Sequence, residues 1–334
     1  MYKELENKIF SISSELGFTD AALAIFQFQY LNNPVYRNYC DAIGSKPGTI
    51  NTIEEIPFLP ITFFKNREVL TRRRQPEGRE SEVIFLSSAT TSGTPSKHIV
   101  SDLNLYRESF RRTFAYFYGD IRDYCILALL PSYLERSASS LVFMTDDLIR
   151  QSAHPGSGFY INNFSDLNKK LLSLEQKGQK TILLGVTYAL LAFAEDYPLP
   201  LNHTIVMETG GMKGKREELP RAGVHELLKA AFNLNAIHSE YGMTELLSQS
   251  YSKGDGIFRS PPWMRISVRD RYDPLKTGLI NIAGGINIID LANINSCPFI
   301  AAEDAGIVHQ DGSFEITGRL DASEVRGCNL MFEE

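Results

Sequence analysis

Residues 87–98 read SSATTSGTPSKH, a stretch of hydroxyl side chains around a single glycine. The apolar run EVIFL at 82–86 precedes it, and residues 99–118 after it are rich in helix formers and aromatic residues. A strand, a loop of small residues and a helical segment often hold phosphate together, because close backbone approach lets N–H groups point at the oxygens. An exposed linker rich in serine and threonine has the same composition. The pattern is not G-x-x-x-x-G-K-[ST], since Gly93 has no partner glycine at that spacing.

A second motif, YGMTE at 241–245, follows the run LNAIH at 234–238. Further along are the acidic segment EDAG at 303–306 and TGRLD at 317–321. Taken in this order, the four segments resemble the adenylate-forming enzymes, which include acyl-CoA synthetases, peptide-synthetase adenylation domains and luciferase. The Y-G-x-T-E signature of that superfamily is intact. The loop at 87–98 is degenerate, because Ala89 and Thr90 stand where many members have Ser-Gly or Gly-Thr.

Within that superfamily the sequence resembles, over nearly its whole length, the acyl-protein synthetases of the bacterial luminescence fatty-acid reductase system. The segments that carry this resemblance are IPFLPI at 56–61 with FK at 64–65, LPSYLER at 130–136, GGMKG at 210–214 and RGC at 326–328. The resemblance implies that a carboxylic acid, fatty or aryl, is activated to acyl-AMP. ATP and Mg²⁺ are the implied cofactors.

The resemblance also assigns the site. The glutamate of Y-G-x-T-E holds Mg²⁺ in the family and the threonine touches the α-phosphate, which gives these catalytic roles to Glu245 and Thr244. Tyr241 would pack on adenine, Asp304 would accept hydrogen bonds from the ribose, and Arg319 would reach ribose or phosphate. The predicted ATP- and AMP-binding residues are Ser88, Thr90, Thr91, Ser92, Gly93, Thr94, Lys97, Gly210, Gly211, Tyr241, Gly242, Met243, Asp304 and Arg319.

Several candidate residues keep a second interpretation. Asp304 and Arg319 either bind the nucleotide or form an exposed salt bridge, and Tyr241 either packs on adenine or in the core. Lys97 either adds charge to the phosphate loop or is a surface lysine at the start of a helix. His238 either faces the pocket of the substrate carboxylate or caps a strand. His238 is therefore the candidate residue for binding the substrate carboxylate.

The C-terminal segment departs from the superfamily pattern. Members usually continue for about 100 residues after G-R-x-D in a mobile domain with a catalytic lysine, whereas thirteen residues follow Asp321 here. In the acyl-protein synthetases a cysteine near the C-terminus takes the acyl group, and Cys328 is in the matching place. A thiolate is a good acyl acceptor. The resemblance thus predicts transfer to Cys328 and then to an acyl-accepting protein, a reductase or carrier.

Two other functions remain open. RGCN at 326–329 also resembles the R-G-x-N of phenylacetate–CoA ligase, which favours an acyl- or aryl-CoA ligase. The degenerate loop and the missing lysine keep a non-catalytic nucleotide-binding subunit as a further alternative.

Composition restricts the class of protein. Of 334 residues, 43% are hydrophobic and 22% charged, as in globular proteins. The net charge of −6 argues against a nucleic-acid partner. The four cysteines are far apart, which predicts reduced thiols and a cytoplasmic location. The longest apolar run, 182–194, is too short to span a membrane and predicts a buried strand followed by a helix start.

The pattern of apolar residues predicts an α/β fold: an adenylate-forming large domain with mostly parallel sheets flanked by helices, a small β-subdomain, and a truncated C-terminal mobile domain. We expect the large domain at 1–318, divided into a helical part (1–80), an α/β part (81–262) and a β-rich part (263–318). A hinge and short segment would occupy 319–334. Residues 53–65 should cross the surface in an extended conformation. The expected strands are 83–86, 125–130, 181–185, 204–207, 236–238, 265–268 and 278–282, with helices at 165–177 and 217–232.

Overall fold

The computed structural model describes residues 2–71, 82–87, 94–130, 138–161, 163–210 and 219–320. The helices are α1 (Tyr2–Ile9), α2 (Glu15–Asn32), α3 (Pro34–Ala42), α4 (Phe63–Asn66), α5 (Leu103–Tyr118), α6 (Ser140–Ser152), α7 (Phe164–Gln176), α8 (Thr187–Asp196) and α9 (Arg221–Phe232). The strands are β1 (Leu59–Pro60), β2 (Val83–Leu86), β3 (Lys97–Val100), β4 (Cys125–Leu129), β5 (Gly158–Phe159), β6 (Thr181–Val186), β7 (Thr204–Thr209), β8 (His238–Tyr241), β9 (Ser250–Ser252), β10 (Phe258–Arg259), β11 (Met264–Arg269), β12 (Gly284–Asp290), β13 (Phe299–Val308) and β14 (Phe314–Arg319).

Helices α1–α3 form the N-terminal part, as the helical spacing of apolar residues predicts. Ser14 caps α2 by accepting a hydrogen bond from the Gly17 amide. Asn33 ends α2 and caps α3, where Pro34 occupies the first helical position. Local capping signals therefore set the boundaries of these helices.

Residues 53–65 are not an extended surface crossing, and that prediction is wrong. The segment contains a short 3₁₀ helix at Ile53–Glu55, strand β1 and helix α4, and most of its apolar side chains are buried. Strand β1 pairs in parallel with β13, with Leu59 opposite Ile300. Pro57 and Pro60 prevent a long helix, but they leave the apolar side chains between them free to pack into the core.

One large sheet runs through the chain in the strand order β11-β12-β13-β14-β10-β9-β8-β7-β6-β4-β5. Pairing is parallel from β5 through β4, β6 and β7 to β8. From β8 through β9, β10, β14, β13 and β12 to β11 it is antiparallel. The predicted α/β fold class is confirmed. The division into domains stays a prediction.

Strands β4 and β6 are buried along their whole length, because helices cover both faces of this part of the sheet. Alternate residues enter two different cores. Ile126 and Leu184 face the core that contains Phe110 of α5. Leu127 and Leu183 face the core built from α7, α8 and α9. Because both faces of these strands are buried, their sequences are continuously apolar, which is the pattern that predicted parallel strands.

Three predicted elements differ from the structure. The run at 83–86 is a strand, but it pairs with β3 in a separate two-stranded antiparallel sheet and not in the parallel sheet. The phosphate-loop candidate therefore leads into a strand, and helix α5 begins only at Leu103, after its cap Asp102. Residues 278–282 form no strand, and the strand lies at β12 instead. Strand β8 begins at His238, two residues later than expected.

Candidate functional site

The carboxyl ends of β7 and β8 form the edge of the sheet on which the predicted site is built. Thr209 is paired with Glu240 in register, so Gly210 and Tyr241 are neighbours where the two strands end. Gly210 has a φ of +72°, in the left-handed region that favours glycine. Its carbonyl accepts a 2.8 Å hydrogen bond from the Thr187 hydroxyl at the start of α8. This hydrogen bond ties the end of β7 to the start of α8.

Tyr241 and Asp304 meet at this edge, although 63 residues separate them. The Tyr241 hydroxyl donates a 2.8 Å hydrogen bond to Asp304 Oδ2. The ring also packs edge-on against Phe258 and Phe314. Burial raises the pKa of Asp304, opposed by the hydrogen bond from Tyr241 and by the charge of Arg319. The structure thus brings together the two residues expected to hold adenine and ribose.

Arg319 and Lys65 add positive charge around this acid. Arg319 Nε lies 3.8 Å from Asp304 Oδ1, and its Nη2 lies 4.0 Å from Glu303 Oε2. Lys65 Nζ lies 3.6 Å from Glu303 Oε1 on the other side. Arg319 is largely exposed and makes the surface ion pair that was the alternative to a nucleotide contact. Its role with nucleotide stays a prediction.

Glu245 lies in a turn just after β8 and is buried. Burial raises the pKa of its carboxyl, and a hydrogen bond with Ser96 and the charge of Lys65 act in the opposite direction. Lys65 therefore influences both Glu245 and Glu303. In the sequence, Lys65 carries part of the family resemblance but has no predicted role. Ser96 is not among the predicted site residues.

The β2–β3 hairpin delivers Ser96 to the site. The Ser87 amide donates to the Ser96 carbonyl, and the Ser96 amide donates to the Ser87 hydroxyl, so the two ends of the loop meet. Ser96 and His98 are buried, whereas Lys97 between them is exposed. Side chains alternate along a strand, so Lys97 points away from Ser96 and His98. Residues 98–100 are all buried, so no alternation of polar and apolar residues in the sequence marks Ser96 and His98 as inward-facing.

The remaining residues of the YGMTE motif are open to solvent on one side. Gly242 is exposed, and Met243 and Thr244 are half-buried. A side chain at position 242 would displace the carboxylate of Glu240, which lies against the Gly242 backbone. Thr94 is exposed at the end of the hydroxyl loop.

His238 is separated from this group. It begins β8, three residues and about 10 Å of strand before Tyr241. Its Nδ1 lies 3.1 Å from the Tyr118 hydroxyl, and burial lowers its pKa to about 4. A substrate-binding role for His238 stays a prediction.

Several predicted site residues lie outside the described part of the chain. They are Ser88, Thr90, Thr91, Ser92, Gly93, Gly211 and Cys328. Within the part that the structure does describe, no group of three or more metal-ligating side chains occurs. No helix there combines the length and the apolar character needed to cross a bilayer.

A buried cluster behind β8 has the residue types of a hydrolase triad without its geometry. Ser239 Oγ and Glu208 Oε1 both face His225 Nε2, at 3.2 and 3.7 Å. In a serine–histidine–acid relay the two partners use opposite ring nitrogens. Although burial raises the pKa of Glu208, hydrogen bonding to His225 and the charge of Arg221 outweigh it and hold that pKa low. The cluster compensates a buried charge and performs no relay.

The arrangement as a whole suits a nucleotide. An aromatic ring and a glycine flank the end of the sheet, a buried acid can accept ribose hydroxyl protons, and a second acid lies beside a cation. Similar folds have been solved with bound nucleotides. MatB from Rhodopseudomonas palustris bound to ATP matches with a TM-score of 0.54 at 19% identity, covering 71% of this chain. An open conformation of 2-hydroxyisobutyryl-CoA ligase, in complex with its acyl-AMP and CoA, matches with a TM-score of 0.65 at 13% identity.

These matches show that the chain shares the α/β fold of MatB and of 2-hydroxyisobutyryl-CoA ligase. The chain spans about half the length of MatB (47%) and 77% of the 2-hydroxyisobutyryl-CoA ligase chain. A family model described as "Acyl-protein synthetase, LuxE" matches residues 13–334, and the chain belongs to this family. The predicted resemblance and the assignment to an acid-activating ligase are thereby confirmed.

Two curated relatives carry the name long-chain-fatty-acid–luciferin-component ligase. The protein from Vibrio harveyi is 23% identical over 331 residues, which cover 92% of this chain and 85% of that protein. The protein from Aliivibrio fischeri is 24% identical, covering 91% of this chain and 85% of its own length.

Proposed function

We propose that this protein uses ATP to activate a carboxylic acid as acyl-AMP, loads the acyl group onto Cys328, and passes it to a partner protein. The single observation that carries the nucleotide part is the 2.8 Å contact of Tyr241 with Asp304, next to Glu245. Family membership supports the acyl-protein part. The names of the curated relatives favour a long-chain fatty acid among the substrates to be tested.

In the first step a carboxylate oxygen attacks the α-phosphorus of ATP, the bond to the bridging oxygen breaks, and pyrophosphate leaves. Tyr241 and Gly210 bind adenine, and Asp304 binds the ribose hydroxyls. Thr244 contacts the α-phosphate. Lys65 supplies positive charge near the phosphates, where electrostatic stabilisation of the transition state is most effective.

Mg²⁺ would be held by Glu245. A single buried carboxylate suits this ion, because Mg²⁺ commonly takes one or two carboxylates and completes its shell with substrate phosphates and water. When bound, the ion neutralises negative charge on the phosphates.

In the second step the Cys328 thiolate attacks the acyl carbonyl, the carbonyl–phosphate bond breaks, and AMP leaves. The last described residue, Leu320, donates its amide proton to the Glu303 carbonyl at 2.8 Å, so it lies next to Asp304. Cys328 lies eight positions after Leu320, and such a segment reaches at most about 29 Å when fully extended. The site is therefore within the reach of this thiol.

ATP–pyrophosphate exchange with a panel of fatty and aryl acids of graded length tests the first step. We expect exchange that depends on one class of acid. Exchange with no acid of the panel would contradict an activating enzyme and support the non-catalytic nucleotide-binding subunit instead.

Glu245→Ala tests the assignment of the metal ligand. Loss of a group that stabilises transition-state charge typically lowers the rate about a hundredfold or more, and we expect that decrease in exchange with little change in melting temperature. Glu226→Ala, an exposed glutamate on α9, is the matched control and should exchange normally. A wild-type rate for Glu245→Ala would remove Glu245 from the metal site.

A CoA ligase is the second candidate, because solved structures of the same fold contain CoA and residues 326–329 read RGCN. Efficient acyl transfer to free CoA without labelling of the protein would favour it over the acyl-protein synthetase.

A further inference from the structure

The segment between β8 and β9 carries Thr244 and Glu245 but belongs to no regular element. Backbone hydrogen bonding within a helix or a sheet therefore does not fix its conformation. Its carbonyl and amide groups are bonded instead by buried side chains from distant parts of the chain. These side chains come from strand β3 and from the end of β12 with the 3₁₀ helix (Leu291–Asn293) that follows it.

The two carbonyls of the Thr244–Glu245 dipeptide are each bonded from outside. His98 Nδ1 lies 2.8 Å from the Thr244 carbonyl oxygen. The Asn293 side-chain amide donates to the Glu245 carbonyl at 2.8 Å and to the Cys297 carbonyl at 3.0 Å. His98 Nε2 in turn lies 3.1 Å from Asn293 Oδ1. His98 and Asn293 thus lie side by side beneath the dipeptide, and the neutral imidazole donates through one of its two nitrogens.

Asp290 fixes the following residues through their amides. Its Oδ2 accepts hydrogen bonds from the Leu247 and Ser248 amides at 2.8 and 2.9 Å, and its Oδ1 accepts one from the Ser248 hydroxyl at 2.6 Å. The Trp263 indole also donates to that hydroxyl. Four backbone groups of residues 244–248 therefore contact these side chains. They are the carbonyls of Thr244 and Glu245 and the amides of Leu247 and Ser248.

His98 is almost fully buried and lies two residues after Ser96, which is hydrogen-bonded to the Glu245 carboxyl. Residues 96–98, at the start of strand β3, therefore contact both the side chain of Glu245 and the backbone that carries it. A displacement of about 1 Å in such a group can lower a catalytic rate by about a hundredfold. The rigidity of this backbone would thus matter to the reaction even though His98 does not face the substrate.

We propose that His98 and Asn293 are positioning residues, which hold the Thr244–Glu245 backbone so that the hydroxyl and carboxylate point at the nucleotide phosphates. The inference rests on the proposed function, because these orientations matter only if the chain binds ATP. It predicts a specific effect on turnover that the loss of an equivalent buried hydrogen bond elsewhere would not produce.

The test compares three variants at His98. His98→Leu removes both polar contacts, His98→Asn keeps a donor near the position of Nδ1, and His98→Gln keeps a polar group near that of Nε2. Thr113→Val is the matched control, because it removes a buried 2.8 Å hydrogen bond to the Ser109 carbonyl in α5 without touching this segment. Activity is measured as kcat and KM for ATP in pyrophosphate exchange.

We expect the kcat of His98→Leu to fall about tenfold to a hundredfold, while KM for ATP changes less than about threefold. His98→Asn should recover most of the loss and His98→Gln less. The proposal is overturned if His98→Leu keeps its kcat, if Asn and Gln are equally slow, or if Thr113→Val shows the same loss. Should His98→Leu fail to fold, the difference between Asn and Gln decides.

Hydrogen–deuterium exchange of the amides at 244–248 is a readout independent of turnover. We expect faster exchange in His98→Gln than in wild type, and restoration towards wild type in His98→Asn. Unchanged protection in both variants would overturn the positioning role. If wild type exchanges pyrophosphate with no acid, the proposed function fails, while this measurement still decides whether His98 holds the backbone.

Discussion

At the scale of single residues, Lys65 stands out because its charge lies between two acids of the site. Its ammonium is 3.6 Å from Glu303 and lowers the pKa of Glu245 against the effect of burial. We propose that this lysine supplies positive charge near the phosphates.

Replacing Lys65 with methionine should keep the length of the side chain and remove the charge. We expect the exchange rate to fall on the order of tenfold to a hundredfold, since a fixed charge near developing phosphate charge is lost. Steady-state pyrophosphate exchange measures this. Lys229→Met on α9 is the control, and an equal loss in both variants would contradict a specific role for Lys65.

Asp304→Ala should weaken ATP binding about tenfold or more, because hydrogen bonds to a charged acceptor contribute about 1.5–3 kcal/mol each. Titration calorimetry with ATP measures the change. Tyr241→Phe separates the two functions of this acid, since it removes the 2.8 Å contact with Asp304 and keeps the ring. We expect the smaller loss in Tyr241→Phe. Unchanged affinity in a folded Asp304→Ala protein would exclude Asp304 from the ribose site.

At the scale of elements, strand β8 contains an unusual buried acid directly before the signature motif. Glu240 is buried and hydrogen-bonded to the hydroxyl of Thr209 on β7. Burial raises its pKa from 4.5 to about 7, with a further contribution from the charge of Glu208. The folded protein therefore binds a proton more tightly at Glu240 than the unfolded chain does.

This difference makes stability depend on pH. Between the unfolded pKa near 4.5 and the folded value of about 7, the native state holds the proton and the unfolded state releases it. The free energy of unfolding should thus fall as pH rises through this window, by up to about 3 kcal/mol at 1.36 kcal/mol per pKa unit. Glu240→Gln should remove this contribution.

Urea unfolding from pH 4.5 to pH 8 measures the effect. We expect Glu240→Gln to be the more stable protein relative to wild type at pH 8 and to lose that advantage at pH 4.5. Glu226→Gln, which alters an exposed side chain, should follow the wild-type curve. Parallel curves for wild type and Glu240→Gln would show that Glu240 does not titrate in this window.

At the scale of the whole molecule, the proposed reaction separates into two steps carried by different parts of the chain. Acyl-AMP formation needs groups that precede residue 321, and transfer needs a thiol that follows it. Cys40, Cys125 and Cys297 are buried, and burial raises the pKa of each thiol. Thiolate formation is therefore disfavoured at these three cysteines, which leaves Cys328 as the candidate nucleophile.

Cys328→Ser should leave pyrophosphate exchange nearly intact and abolish labelling of the protein by radioactive acid and ATP. In wild type the label should be sensitive to hydroxylamine and should map to the peptide that contains Cys328. Cys297→Ser is the control and should still be labelled. Persistent labelling of Cys328→Ser would contradict transfer through this thiol.

The sequence by itself determined the parallel strands of the large sheet. Strands with continuous apolar runs, such as 125–130 and 181–185, are buried on both faces. The motifs at 241–245 and 303–306 follow the order and the residue types of the superfamily pattern. Tyr241, Glu245 and Asp304 could therefore be selected without a structure. The apolar pattern of a segment is sufficient to predict a buried strand, because burial acts on the residues of that segment. The family motifs are sufficient to select candidate site residues.

Only the tertiary structure decided how these residues are held. The hydroxyl loop ends in strand β3 and not in a helix, because β2 requires an antiparallel partner that no local pattern at 87–98 announces. His98 meets Thr244 across 146 residues, and Asn293 meets Glu245 across 48. Lys65 meets Glu303 through the docking of β1 on β13. Such contacts depend on which elements pack together, and the spacing of residues along the chain does not contain that information.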